Sequence, residues 1–271
     1  MKIKFEKIAF LRRLDVLDMV MNAQSGHIGG SMSSMDILVC LYYRIMNIQN
    51  IKEGSPDRDR FIMSKGHCAQ ALYAVLADCG FFPAEELSSF AAFDTKLAEH
   101  PTKKAAGIEV ATGALGHGLS VGVGMAIGLK QDKSPAKVYV LMGDGEQAEG
   151  AIWESVMAAG KFGLDNLIGI IDRNRLQISG STEEVMPLED LEAKYRSFGW
   201  DVVICDGNDS DELYSKLSSP AKGKPVMVIA NTVKGYGSSV MENKASWHHH
   251  VPTEEEYQRI KSDFMERIEE G

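Results

Sequence analysis

The stretch from Lys137 to Gly180 constrains this chain more than any other. Lys137–Met142 reads as an apolar strand running into Gly143-Asp144-Gly145. Glu149–Phe162 has the spacing of a helix, and Leu167–Ile171 is a second apolar strand that runs into Asp172-Arg173-Asn174. Together they form one βαβ unit of about 30 residues. Neighbouring parallel strands end on the same edge of their sheet, so Asp144 and Asn174, thirty positions apart, emerge side by side. Strands lie ~4.8 Å apart, within reach of a single cation. Two oxygen donors suit Mg²⁺ or Ca²⁺ and argue against zinc. Mg²⁺ takes few protein ligands and completes its shell from phosphate and water, so the unit reads as a site for a metal-bound diphosphate.

A Gly-Asp-Gly turn alone is a common strand end, and it is the Asn at the end of the next strand that raises it to a cation site. No Gly-Lys-Ser/Thr follows the strand, which excludes a P-loop. A dinucleotide fingerprint is excluded as well, because Asp144 would repel the pyrophosphate unless a metal stands between them.

The remaining pattern fits an α/β chain. Phe5–Asn22 has helical apolar spacing (Ile8, Leu11, Leu14, Leu17, Val20), and Ser33–Met46 reads as a helix capped by Ser33. Asn50–Arg60 reads as a loop, Arg60–Met63 as a short strand, Ala69–Cys79 as a helix, and Pro83 to about Phe93 as another. Thr95–Thr112 is long and irregular, as segments reserved for a site are. Gly118, Gly122, Gly124 and Gly128 lie in an apolar run, read as a buried helix against the sheet or a partner chain. Asp201–Cys205 and Pro225–Asn231 are further strands, with a helix over Asp209–Leu217 between them. Glu254–Glu270 reads as a charged, solvated terminal helix. With no repeat and no linker, residues 1–271 are expected to form a single domain.

A net charge of −9 argues against nucleic acid and anionic membrane as partners. No apolar run reaches the ~18 residues of a membrane span, and the first residues lack the apolar core of a signal peptide. Cys40, Cys68, Cys79 and Cys205 form no CxxC pair and read as reduced thiols in a cytoplasmic protein. Cys68 follows His67, but adjacent helical residues point about 100° apart, which favours a plain buried cysteine over a nucleophile.

All seven histidines, at 27, 67, 100, 117, 248, 249 and 250, sit in loops or beside Gly, Pro or Trp. Loops at the carboxyl ends of strands converge on the ligand crevice of an α/β sheet. Imidazole exchanges protons near neutral pH, so such a group suits a polyhydroxylated, carbonyl-bearing substrate. The His248–His250 run is internal, between Trp247 and Val251-Pro252, which excludes a tag remnant, and zinc would lack further ligands.

The Gly143-Asp144-Gly145…Asn174 pair resembles the thiamine-diphosphate motif. SGHIGG (Ser25–Gly30), MSKGHCA (Met63–Ala69), EHP (Glu99–Pro101), ATGALGHGLSVGVGMA (Ala111–Ala126) and SWHHHVP (Ser246–Pro252) resemble transketolase in order and spacing, from about residue 8 to 255. The resemblance implies a thiamine-diphosphate-binding fold, a mostly parallel sheet with helices on both faces. It extends only to the diphosphate-binding half of a transketolase.

The resemblance further implies thiamine diphosphate and Mg²⁺ as cofactors, with Ca²⁺ able to substitute. Asp144, Asn174 and the carbonyl of Leu176 would hold the metal. His67, Gly113, Leu115, Gly143, Gly145 and Ile178 would bind the cofactor. His27, His100 and His248 or His249 would face the substrate; the two spacings compete, and counting from Trp247 favours His248. Glu149 would sit beneath the cofactor. The implied activity is transfer of a two-carbon ketol unit between sugar phosphates. It requires a separate C-terminal, pyrimidine-binding subunit of roughly 300 residues in an α₂β₂ assembly. Ile28, Ala114 and His117 depart from the family's usual Pro, Pro or Ser, and Gln. A 1-deoxyxylulose-phosphate-synthase-like or ketoacid-dehydrogenase-like enzyme, and a non-catalytic stabilising subunit, are the alternatives. The histidine loops favour sugar chemistry, and the intact Asp144/Asn174 pair favours catalysis.

Overall fold

The computed structural model of the chain describes residues 4–218 and 223–270. Helices α1 (Phe5–Ala23), α2 (Ile28–Cys40) and α3 (Ile48–Lys52) precede strand β1 (Arg60–Met63). Then follow α4 (Ala69–Asp78), α5 (His117–Gln131), β2 (Val138–Gly143), α6 (Gly150–Phe162) and β3 (Leu167–Arg173). The chain continues through α7 (Thr182–Val185), α8 (Leu191–Ser197), β4 (Asp201–Asp206), α9 (Ser210–Leu217), β5 (Val226–Asn231) and α10 (Glu254–Glu270). The strands form one all-parallel sheet in the order β1-β2-β3-β5-β4.

Each strand alternates between two cores, as a period of two residues requires. Tyr139, Leu141, Ile168, Ile170 and Val228 face a core with α1, α2, α4, α9 and α10. Val138, Val140, Met142, Leu167, Ile171 and Met227 face the other, with α5, α6 and α8. β3 is buried along its whole length, which is why it reads as a continuous apolar run rather than an alternating one. The parallel sheet with helices on both faces is therefore as the sequence implies.

Four details differ from the sequence reading. α2 begins at Ile28, so Ser33 lies inside the helix and binds Asp172 instead of capping. Gly29 and Gly30 obscured that start, yet close packing demands them. A Cβ on Gly29 would sit 2.5 Å from the Trp247 carbonyl oxygen, and one on Gly30 2.8 Å from Cys68 Sγ. The end of that helix widens into a π-helical turn over Leu41–Ile45, and α3 (Ile48–Lys52) runs into the first residues of the loop expected over Asn50–Arg60. The helix expected from Pro83 is only a 3₁₀ stretch, Ala84–Ser89. α10 is not wholly solvated, since Ile260, Phe264 and Ile268 at four-residue spacing are buried and the helix lies along α1.

The glycine-rich α5 has two unlike faces. Gly118, Leu119, Gly122, Val123 and Ala126 press on the sheet, whereas Gly124 and Gly128 have nothing within 4 Å of a notional Cβ. All four cysteines are free and buried. Among the described residues, no helix is long and apolar enough to cross a membrane.

Candidate functional site

The carboxyl ends of β1, β2, β3 and β5 open into one cleft of about 560 Å³. In register, Gly143 pairs with Asp172, so the turn after β2 faces the turn after β3. Asp144 Oδ2 accepts the backbone N–H of Arg175 at 2.5 Å, and its Oδ1 accepts the N–H of Gly145 at 2.8 Å. Asn174 Oδ1 accepts the N–H of Leu176 at 3.1 Å, and the carbonyl of Leu176 accepts from Lys234 Nζ at 3.1 Å. One carboxylate, one amide oxygen and one carbonyl thus come from two adjacent strand ends. Among the described residues there is no group of three His, Cys, Asp or Glu arranged for a metal. The three oxygen donors themselves fit a hard cation that brings its own anionic ligand, as Mg²⁺ does with a diphosphate.

Two lysines give the cleft its positive side. Lys65 is wholly buried and paired with Asp172, which also accepts from Ser33 at 2.7 Å, Ser34 at 3.1 Å and Thr232. Burial alone would push Lys65 down, but the Asp172 carboxylate overrides it and holds the ammonium well above its usual range. Lys234 touches Leu176 and His248, and among the described residues no carboxylate stands within ion-pair distance of it. Burial, followed by the charge of Lys65, lowers it to about 8. Beneath the cleft, Glu146 accepts from Ser64, from the Gly116 N–H at 2.7 Å and from the Gly143 N–H at 3.1 Å. It ties the start of α5 to the Gly-Asp-Gly turn.

Five of the seven histidines meet at the mouth. The His27 ring lies 5.1 Å from His67, 6.2 Å from His100, 5.4 Å from His248 and 4.6 Å from His249. Burial, then His249 and His100, lowers His27 to about 4. Burial, then Lys234, lowers His248 to about 3, and burial with Lys65 holds His67 well below its usual value. All three are neutral imidazoles at pH 7. His117 stands apart and exposed against the Leu115 carbonyl, and His250 pairs with Glu256.

The cleft is lined by His27, His67, His100, Gly113, Leu115, Gly143, Asp144, Gly145, Glu149, Asn174, Leu176, Ile178 and His248. Of the residues expected from sequence, only His249 does not line it, and that ring abuts His27. Gly113 has a φ of +152°, and a Cβ there would press on the His100 ring at 3.1 Å. Ile178 projects into the opening with 73% of its surface exposed. Sequence reasoning missed Lys65, Glu146, Gln177 and Lys234, which also line the cleft. Lys234 lies three residues beyond β5, on the edge that already carries Asp144 and Asn174. That placement was the available signal, and the order of β4 and β5 was needed to read it.

Residues 4–267 match the family model described as "Transketolase, thiamine diphosphate binding domain". The chain is 49% identical to an apulose-4-phosphate transketolase subunit of Phocaeicola vulgatus, spanning 95% of this chain and 92% of that protein. It is 46% identical to "6-deoxy-6-sulfo-D-fructose transketolase subunit SqwG" of Clostridium sp., over 85% of each. Human "Transketolase" is 38% identical over 87% of this chain but only 38% of its own length. The crystal structure of transketolase from Campylobacter jejuni superposes with a TM-score of 0.90 at 30% identity, spanning 98% of this chain and 43% of that one.

Proposed function

This chain belongs to the transketolase family, and we propose that it is the diphosphate-binding half of a two-chain transketolase. In this reading it works with Mg²⁺ and thiamine diphosphate, moving a two-carbon ketol unit from a ketose to an aldose. The observation that carries the reading is the single cleft in which the Asp144/Asn174 strand ends face the cluster of His27, His67, His100 and His248, with His249 against His27. Asp144, Asn174 and the Leu176 carbonyl would hold Mg²⁺, with Ca²⁺ able to substitute. Gly113, Leu115, Gly143, Gly145, His67 and Ile178 would border the cofactor, and Lys234 would meet its diphosphate. When bound, thiamine diphosphate supplies the electron sink that ketol transfer needs. His27 and His248, neutral at pH 7, are placed to accept protons from substrate hydroxyls; His100 borders the same space, and His249 packs behind His27. Glu149, the N-cap residue of α6, would lie beneath the cofactor.

A partner chain is part of the proposal. The chain spans less than half of the solved transketolases it resembles, and its closely similar relatives are named as subunits. The open side of α5 and α6 also leaves Val121, Met157 and Phe162 exposed, with 38%, 56% and 57% of their surface accessible. Large exposed apolar groups of this kind mark an interface. An α₂β₂ assembly, with the chain as one domain over 1–271, is the expected form. Four free buried thiols accord with a cytoplasmic setting. The names of the two relatives make apulose 4-phosphate and 6-deoxy-6-sulfo-D-fructose the first donors to try.

The test is to isolate the tagged chain from its native cell extract with Mg²⁺ and thiamine diphosphate, then assay the recovered complex for ketol transfer. A near-stoichiometric partner of roughly 300 residues, with activity lost in Asp144→Ala, is the expected result. A chain that comes out alone and binds no thiamine diphosphate overturns the reading.

A further inference from the structure

Arg173 is the last residue of β3, directly before Asn174, and it is buried at 6% exposure. Its Nη1 donates to Asp144 Oδ2 at 3.2 Å and to Thr182 Oγ1 at 2.7 Å, and its Nη2 donates to Glu183 Oε1 at 2.7 Å. A permanent cation therefore sits on the carboxylate expected to carry the metal. The Leu176 carbonyl is likewise occupied by the Lys234 ammonium. The Asp144 carboxylate, through Oδ2, and the Leu176 carbonyl are thus each in contact with a positive charge belonging to the chain itself. A divalent cation arriving alone meets a carboxylate already paired with Arg173 and the Lys234 ammonium on the neighbouring carbonyl, and desolvation of Mg²⁺ is already reluctant. A diphosphate changes that balance, because its negative charge draws on Lys234 and offsets Arg173.

Resting on the functional reading above, we infer that Arg173 is a positioning residue that excludes a bare divalent cation and makes metal binding conditional on the diphosphate. Free energy of this kind is reciprocal: whatever factor the diphosphate adds to metal affinity, the metal adds to diphosphate affinity. Arg173 also tethers the loop 174–182 through Thr182 and Glu183, a structural role that must be separated from the electrostatic one.

Isothermal titration of the purified complex of this chain with its partner subunit against Mg²⁺, with and without thiamine diphosphate, separates them. In the native chain thiamine diphosphate should raise Mg²⁺ affinity toward the upper end of the about 5–150-fold range of site coupling. Arg173→Gln should bind Mg²⁺ alone about tenfold more tightly than the native chain and lose a corresponding part of that coupling. Arg173→Lys should keep the native pattern. Glu183→Gln loosens the loop but leaves the guanidinium on Asp144, and should not tighten bare Mg²⁺ binding. A gain in affinity is a readout that mere loosening of the site cannot give. If Arg173→Gln is insoluble, Arg173→Met gives the same comparison. Unchanged or weaker Mg²⁺ binding by the neutral variants overturns the inference while leaving the functional reading intact. Absence of Mg²⁺ binding by the native complex in the presence of thiamine diphosphate overturns the functional reading, and this inference with it.

Discussion

The His67 and His248 rings lie 5.3 Å apart with their planes only 25° from parallel, one from the turn after β1 and the other from the segment after β5. Two imidazoles stacked so closely cannot both be charged at modest cost, and Lys65 and Lys234 add their own repulsion.

Acid should therefore destabilise the fold through this cluster. His27 is faced by His67, His100, His248, His249, Glu99 and Lys234, and its folded value of about 4 lies below the unfolded 6.5. The unfolded chain binds more protons between those values, so the stabilisation is present above pH 6.5 and is lost as pH falls. His248 extends the loss toward about 3. Urea unfolding measured from pH 7 downward should show a steeper decline for the native chain than for the His27→Asn/His248→Asn variant. Superimposable curves would remove the effect.

Loss of Asp144 should separate binding from folding. Asp144→Ala leaves the Arg175 N–H and part of the Arg173 guanidinium without an acceptor, costing about 1–3 kcal/mol of stability. Mg²⁺-dependent thiamine diphosphate binding should fall by more than about 100-fold. Calorimetry of the folded variant checks this, and native-like affinity would show that the metal is held elsewhere.

The buried Lys65–Asp172 pair predicts a non-additive pattern. Breaking it with Lys65→Met alone should cost about 3–5 kcal/mol, because Asp172 is left charged, buried and short of its counterion. Lys65→Met combined with Asp172→Asn should recover a large part of that loss in urea titrations. Simple addition of the two single effects would contradict the coupling.

Two glycines of α5 should respond in opposite directions. A Cβ on Gly118 would sit 2.3 Å from Ser64 Oγ, disturbing the contact by which Ser64 holds Glu146. Gly118→Ala should cost about 1–3 kcal/mol. Gly124 faces open space, so Gly124→Ala should stabilise the isolated chain by about 0.5–1 kcal/mol through helix propensity. Thermal melts of the two variants decide both signs.

Much of the fold was legible because strands write their environment in a period of two and helices in a period near 3.6. Val138 to Met142 and Leu167 to Ile171 announce buried parallel strands, and with them the meeting of Asp144 and Asn174. The histidines were legible because the sheet's carboxyl edge gathers loops that carry them. Less legible were features set by distant packing. Ile28 opens α2 through two glycines that local propensity disfavours, because Trp247 and Cys68 press against that backbone. Lys65 and Lys234 carry no periodic signal, and their importance comes from where the strands around them end.

His27 and His248 stand 221 positions apart along the chain, yet their rings are 5.4 Å from each other. While the polypeptide is still being synthesised, no such cleft exists, since its last wall arrives with the segment after β5. Domains rich in such distant contacts form late and slowly. Occupancy of the cleft thus reports that synthesis has passed His248: a nascent chain, or one truncated before that residue, lacks the cleft's last wall, however well its earlier helices have formed.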